Sequence, residues 1–269
     1  MKITLVTISY NQVEFLERTI ESVKSQKNDV DLEYIVVDPG STDGSRDIIA
    51  KYSDVIDHVI LEPDDGPSDG LNKGFSLATG EVLGFLNSDD ILYPGSLRSA
   101  ISYLEKHPEI DVISAHANII DKSDNILRKC FSRVVSLQKY AYGVSIIIQP
   151  STFFRRRIFD TTAGFNKDNR CNWDGELFID MALKGAKFRV CDEIWSGYRL
   201  HDVSITGTAK LDHAMHQYQE RMFNKIIGRQ RKPSDKYLST LYTLVHFITH
   251  PSELWERLAR GRIYGRSTS

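Results

Sequence analysis

The segment GFLNSDDILYPG (84–95) closes an apolar run with Asn87-Ser88-Asp89-Asp90. Adjacent carboxylates at the end of a buried strand repel each other and lose hydration, so unaided they cost free energy. A divalent cation carried by a nucleoside diphosphate turns that cost into a gain, because hard cations take oxygen ligands. No Cys or His cluster lies nearby, which favours Mg2+ or Mn2+ over Zn2+. The competing role for the pair is to cap a helix over 95–107. Two further stretches hold chemistry-bearing groups. In TISYN (7–11), Tyr10 offers a flat face on which a base can stack, while Asn11 can cap the helix that follows. In VVDPGSTDGS (36–45), Asp38 can accept the ring N–H of a pyrimidine, and the Gly40-Ser41-Thr42-Asp43 turn opens a helix that Asp43 would cap.

These groups need a frame. ITLVTIS (3–9), LEYIVVD (32–38), VIDHVILE (55–62) and EVLGFLN (81–87) are β-branched or apolar runs that read as strands. Helical patterns separate them: 12–26 with Phe15, Leu16, Ile20 and Val23 on one face, then 41–52 and 68–78, with another at 95–107. Alternating strands and helices predict a mostly parallel sheet with helices on both faces, and ligands bind beyond the carboxyl ends of such strands. SYN, DPGSTDGS, EPDDGPSD and NSDD all fall there, so four polar clusters share one rim.

The second half is less regular. A strand is expected over 109–117, a hairpin over 117–129 turned at Ser123-Asp124-Asn125, and a strand, a Pro-marked turn and a short element over 144–160. A helix over 173–185, a strand over 187–191, a long helix over 210–230 and two helical pieces broken at Pro251 complete the reading.

A chain of 269 residues with 41% hydrophobic and 26% charged residues supports a sizeable core. The net charge of −2 conceals an asymmetry: from Thr208 onward eleven Lys/Arg stand against five Asp/Glu, a net +6, which leaves −8 on the rest. Such a tail either meets something anionic or is a solvated helix surface. The run Arg155-Arg156-Arg157 raises the same choice, between a diphosphate and a solvated face. Cys130, Cys171 and Cys191 lack CxxC spacing, which argues against a disulfide framework or zinc site and for a reducing compartment. No signal peptide and no membrane-spanning run is expected, so the protein is read as cytoplasmic.

The succession TISYN…VVDPGSTDGS…EPDDGPSDGLNKGFSLATGEVLGFLNSDD resembles the nucleotide-sugar half of the family 2 glycosyltransferases, which are inverting enzymes with the GT-A fold. The match is dense over 3–95 and continues to about 205. The resemblance implies an α/β GT-A domain over 1–207, with a nucleotide-sugar-binding half (1–95) and an acceptor-side half (96–207), followed by a helical C-terminal extension (208–269). It implies a nucleotide-sugar pocket at Ser9, Tyr10, Asn11, Asp38, Ser41, Asp69, Asn72, Lys73, Asn87 and Ser88. Asp89 ends the family's DxD-like motif and is the expected metal ligand. Asn87 stands where many members carry Asp, so one negative charge is absent. NRCNWDGELFIDMALKGAKF (169–188) is similar to the acceptor-side segment, which makes Asp174 the expected base and Glu176 the second choice. An attacking hydroxyl must lose its proton, so a carboxylate is needed there. Asp174 also suits a helix cap, and Trp173 either stacks on a sugar or packs. YRLHDVSIT (198–206) matches the late segment whose His, here His201, completes the metal shell.

The expected activity is transfer of a hexosyl or N-acetylhexosaminyl group from a nucleotide-diphosphate sugar, UDP-linked, to a saccharide or lipid-linked saccharide of surface polysaccharide or glycolipid synthesis. Mn2+ or Mg2+ is the expected cofactor, and no nucleic acid is involved. Residues 208–269 suggest peripheral contact with the inner face of the plasma membrane, or a homodimer. Two rival readings are a non-catalytic sugar-binding subunit, which the presence of Asp174 argues against, and a sugar nucleotidyltransferase. The latter expects a Gly-rich phosphate loop where this chain has SYNQVEFL (9–16).

Overall fold

The computed structural model describes residues 1–145, 147–201 and 212–261. Lys210, Arg262, Arg266 and the end of the YRLHDVSIT stretch lie outside the described residues. Strands β1 (Ile3–Ile8), β2 (Leu32–Val37), β3 (His58–Ile60) and β4 (Val82–Asn87) are mutually parallel in the order β3-β2-β1-β4. Every residue of β2 is buried, as a parallel sheet covered on both faces requires. Alternate residues serve opposite cores. Ile3, Leu5, Tyr34, Val36 and Val82 pack with α1 (Val13–Lys24), α2 (Ser45–Lys51) and α4 (Ser96–Lys106). Val6, Ile35, Val37, Leu83 and Phe85 pack with α3 (Pro67–Leu77) and α7 (Trp173–Leu183). Helix α3 lies close on the sheet because Gly74 has no side chain: a Cβ there would sit 2.5 Å from Val6 Cγ1.

Past β4 the sheet becomes mixed. It continues through β8 (Thr152–Arg155), β6 (Val112–Ile120), β9 (Phe188–Arg199) and β5 (Ile91–Leu92), with β7 (Ile126–Cys130) on β6. β8 is antiparallel to both β4 and β6, whereas β6 and β9 are parallel. The expected hairpin joins β6 to β7. Asp121 Oδ1 accepts from the amides of Ser123 and Asn125, and Asp124 is left-handed (φ 67°).

β9 runs well past the expected end at Cys191. Asp192-Glu193 is exposed at a register shift against β6, and the strand resumes as Ile194–Arg199 with Trp195, Ser196 and Arg199 buried. The short helices α5 (Leu137–Ala141) and α6 (Arg156–Phe159) flank a 3-10 turn over Gln149–Ser151. The extension forms α8 (Asp212–Ile227), α9 (Asp235–Thr249) and α10 (Pro251–Arg260), with the break at Pro251.

Of the three-arginine run only Arg157 is exposed, as a solvated face requires; Arg155 and Arg156 are half-buried against backbone carbonyls. Arg155 pairs with Val82, at the opposite end of β4 from Asn87. Arg155 donates to the carbonyls of Ile110 (2.7 Å) and Leu104 (2.6 Å), Arg156 to those of Gly80 and Ala78 (both 2.8 Å), and Arg157 to Asp111 Oδ1 (2.9 Å). These guanidiniums satisfy chain ends far from the acid pair.

Candidate active site

Asp38 ends β2 wholly buried. Its Oδ1 accepts from the amides of Gly40 (3.1 Å) and Ser41 (2.8 Å) and from Arg46 Nε (3.1 Å), while Oδ2 has no partner. Buried polar atoms are almost always paired, so an orphan carboxylate oxygen marks a place for a ligand's donor. Ser9 Oγ and Asn87 Oδ1, at the ends of β1 and β4, and Ser68 Oγ, at the start of α3, are orphaned in the same way. Tyr10 stands beside this rim with 61% of its surface exposed, free to offer its ring.

Asn11 does not cap α1. It is left-handed (φ 51°); its Oδ1 accepts from Thr42 N (2.9 Å) and its own amide donates to Ser41 Oγ (2.8 Å), which ties the β1 and β2 loops together. Asp43 caps twice, accepting from Val13 N of α1 (2.9 Å) and from Ser45 N of α2 (3.0 Å). Its pKa stays below the ordinary carboxylate value: burial raises it, and the hydrogen bonds from Ser45 and Val13 outweigh that.

The α3 residues are latches. Both ends of the Asn72 amide are engaged with the Phe165 backbone (2.8 and 2.9 Å), so that side chain holds the loop after α6 and is not free for the nucleotide. Lys73 donates to Pro63 O (2.5 Å). Asp69 is buried, pairs with Lys167 and Lys73, and accepts from Asp65 N; the Lys167 bond leads the effects that hold its pKa near 2. Arg170 also donates to Asp65 O (2.6 Å). Lys167 and Arg170 thereby dock the segment entering α7 onto the loop entering α3.

The acid loop separates its two aspartates. Asp90 is buried at 1% exposure; Oδ1 accepts from Arg199 N (2.8 Å) and Oδ2 is orphaned. Burial, then the charge of Asp89, pushes its pKa well above the usual carboxylate range. Asp89 is more open, and its Oδ2 lies 3.0 Å from His201 Nε2. Neither acid caps α4, whose N-cap is Gly95. Ser88 is buried against Ile8 O through its amide (3.3 Å), and Asn87 Nδ2 donates to Gln149 Oε1 (3.3 Å). His201 packs tilted against Phe15, ring centroids 4.7 Å apart, which restrains its ring.

Arg199 escaped the sequence reading. Its buried guanidinium donates to Asp89 O (2.6 Å) and Asp121 O (2.7 Å), pairs with Asp124 (2.5 Å), and lies over the Phe15 ring. It staples the acid loop to the β6–β7 hairpin. The available signal was spacing, since residues two apart on an extended chain share a face and Arg199 precedes His201 by two.

Asp174 is the second residue of α7, so it is not the cap; that position is Asn172, left-handed at φ 53°. Asp174 is half-buried and closely surrounded by protein, and desolvation raises its pKa above the ordinary value despite the amides of Gly175 and Asp174 itself. Glu176 is engaged on both carboxylate oxygens. It accepts from Asn166 (3.1 Å), Asn169 (2.7 Å) and Arg221 (2.7 Å). Trp173 packs in the core with Leu177 and Phe178. Part of the tail's positive charge is answered here, since Arg221 pairs with Glu176 and Lys225 with Asp180 of α7.

The chain belongs to the family 2 glycosyltransferases: residues 4–162 match the profile of Glycosyl transferase family 2. A relative from Nostoc sp., named an uncharacterised glycosyltransferase, is 30% identical over 215 residues. The match covers 75% of this chain and 65% of that protein, so the chain spans just under two thirds of its length. TuaG of Bacillus subtilis, named for teichuronic acid biosynthesis, is 34% identical over 105 residues, 38% of this chain and 41% of its own. Among solved structures, S. aureus TarS 1–349 in complex with UDP-GlcNAc gives a TM-score of 0.63 at 17% identity, covering 84% of this chain and 72% of that one. The mannosyltransferase PcManGT from Pyrobaculum calidifontis, in complex with GDP-Man and Mn2+, gives 0.61 at 20% identity, covering 97% and 76%. The fold is that of the GT-A-like glycosyltransferases, and family membership sets the nucleotidyltransferase reading aside.

Proposed function

We propose that the protein is an inverting transferase that moves a hexosyl or N-acetylhexosaminyl group from a UDP-linked donor to an acceptor hydroxyl, in surface polysaccharide or glycolipid synthesis. The observation that carries the reading is Asp38: a wholly buried carboxylate with one unpartnered oxygen, suited to a uracil N–H. Tyr10 supplies the stacking face, while Ser9 and Asn87 leave acceptor atoms on the same rim. TarS binding UDP-GlcNAc and the name of TuaG support the donor and the product class.

Asp89 and His201 fit a hard divalent cation. Asp89 Oδ2 and His201 Nε2 converge at 3.0 Å, so an oxygen and an imidazole nitrogen at this point would hold the ion, were it bound. Among the described residues no group of three or more His, Cys, Asp or Glu could hold a metal. Phosphate oxygens and water would supply the other ligands, as is usual for Mg2+. When bound, Mn2+ or Mg2+ would offset the charge of the nucleoside diphosphate. Asp174 takes the acceptor proton as the oxygen bonds to the anomeric carbon and the bond to the diphosphate breaks, so the configuration inverts. Its raised pKa makes it a stronger base than an exposed aspartate.

Purified protein is tested by thermal shift against UDP, GDP and CDP with Mn2+, then for turnover of UDP-sugars. UDP with Mn2+ should raise Tm most. A larger shift with GDP rejects the uridine reading, and no turnover of any donor favours a binding subunit. Peripheral membrane contact belongs to the same reading and rests on the exposed apolar face of α9, where Tyr237, Leu241, Leu244 and Ile248 recur at helical spacing.

A further inference from the structure

Helix α8 reaches the turn that carries Asp174 through a second contact, separate from the Arg221–Glu176 pair. Tyr218 of α8 is buried, and its hydroxyl lies 2.5 Å from that of Tyr140 in α5. Tyr140 Oη also accepts from Asn172 Nδ2 (3.0 Å). Asn172 is the left-handed residue that opens α7, and its side chain caps no helix amide because it is turned to Tyr140. Its carbonyl instead accepts the first helical bond, from Glu176 N (3.1 Å). The approach is close: a Cβ at position 175 would lie 2.5 Å from Tyr140 Oη and overlap Asn172 Nδ2, so a side chain there must push this pair apart. Around this network Cys171, Ile179, Tyr218 and Met222 close the α7–α8 seam. Two hydroxyls and one amide thus converge on the residue two before Asp174, and none of them is needed to form the helix itself.

We propose that Tyr140 and Tyr218 are positioning residues for Asp174: their paired hydroxyls, anchored on Asn172, fix the first turn of α7 against α8 and hold the carboxylate where the acceptor hydroxyl arrives. The inference rests on Asp174 being the base. Burial keeps both phenols protonated at working pH, Tyr140 at about 12 and Tyr218 higher still, so both serve as neutral hydrogen-bonding groups. Among the described residues, Tyr140 and Tyr218 interact electrostatically with Asp174, while Glu176, two residues on, is paired with Arg221 of α8. Removing one hydroxyl leaves the rings and the apolar seam in place but frees the turn. Small displacements of a catalytic group are known to cost up to about a hundredfold in rate.

The experiment compares Tyr218→Phe, Tyr140→Phe, Gly175→Ala and Asp174→Asn in the full chain, measuring kcat, KM, UDP affinity, Tm and the pH dependence of kcat. The phenylalanine variants should lose about ten- to a hundredfold in kcat, with UDP affinity and Tm close to the parent and the acid limb of the pH profile displaced. Gly175→Ala should move kcat in the same direction. Parent-like kcat and pH profile in both phenylalanine variants, beside an inactive Asp174→Asn, overturns the positioning role alone. An active Asp174→Asn overturns the base assignment instead. A loss that tracks lower Tm and weaker UDP binding assigns the hydroxyls to stability and also rejects the proposal.

Discussion

Asp174 is a carboxylate whose burial disfavours its charge, and nothing in the fold requires that charge. Its raised pKa means the folded state holds its proton more tightly than the unfolded chain, so stability falls as pH rises from the unfolded value through the raised one. Asp174→Asn removes that penalty. The variant should lose about 10²–10⁴-fold in transfer rate yet melt higher than the parent at pH 7, with the difference vanishing below pH ~4; calorimetry across pH checks both halves. At Asp38, Asn keeps one acceptor but gives up the charge, so Asp38→Asn should weaken UDP binding roughly tenfold by calorimetric titration. Asn87→Asp should tighten Mn2+ binding, because Asn87 Oδ1 is an orphan beside the acid loop; unchanged affinity would place it outside the metal's reach. The placement of Asp38, Asp89 and Asp174 was legible from sequence, because a polar residue at a strand end or helix start is conspicuous against an apolar run. Asn11, Asn72 and Asp69 were only half legible. Their types suit ligand binding and loop latching equally, and the choice depends on partners such as Thr42, Phe165 and Lys167 that only folding brings near.

Among the elements, β1, β2 and β4 and the helices between the first strands follow their sequence patterns, because these strands are continuous apolar runs; β3 shrinks from the expected 55–62 to His58–Ile60, since Asp57-His58 interrupts its run and two of its three residues are exposed. β5 has only two residues and α5 five, too short for any period to emerge. β9 hid its second half behind Asp192-Glu193, and with it the buried position of Arg199. That arginine ties two elements at once. Arg199→Met should cost about 3 kcal/mol, since the carbonyls of Asp89 and Asp121 lose a buried donor. Denaturant unfolding reads the cost, and Mn2+ affinity should fall more than UDP affinity because the acid loop loosens. Gly74→Ala tests the other face: a Cβ against Val6 should push α3 off the sheet and cost about 1–3 kcal/mol.

For the molecule as a whole, the acidic body and basic tail partly answer each other across the seam, as Arg221–Glu176 and Lys225–Asp180 show. Arg229 and Arg231 pair within the extension, with Asp235 and Glu220. Helices α9 and α10 carry three cations (Lys236, Arg257, Arg260) against three anions (Asp235, Glu253, Glu256). Their outward signal is therefore apolar: Tyr237 is 80% exposed, Ile248 78% and Trp255 72%. No helix among the described residues is long and apolar enough to cross a membrane. Changing Leu241, Leu244 and Ile248 to Ser together should abolish co-sedimentation with lipid vesicles. If the parent instead runs as a dimer that the triple change splits, the face pairs two copies and the membrane reading fails. The seam itself contains a built-in clock. Cys171 is a free, buried thiol between α7 and α8, and desolvation raises its pKa, so a thiol reagent should react with it only while the helices part. Its labelling rate, followed by mass spectrometry, would report how often the wall behind Asp174 breathes and whether a bound donor stills it.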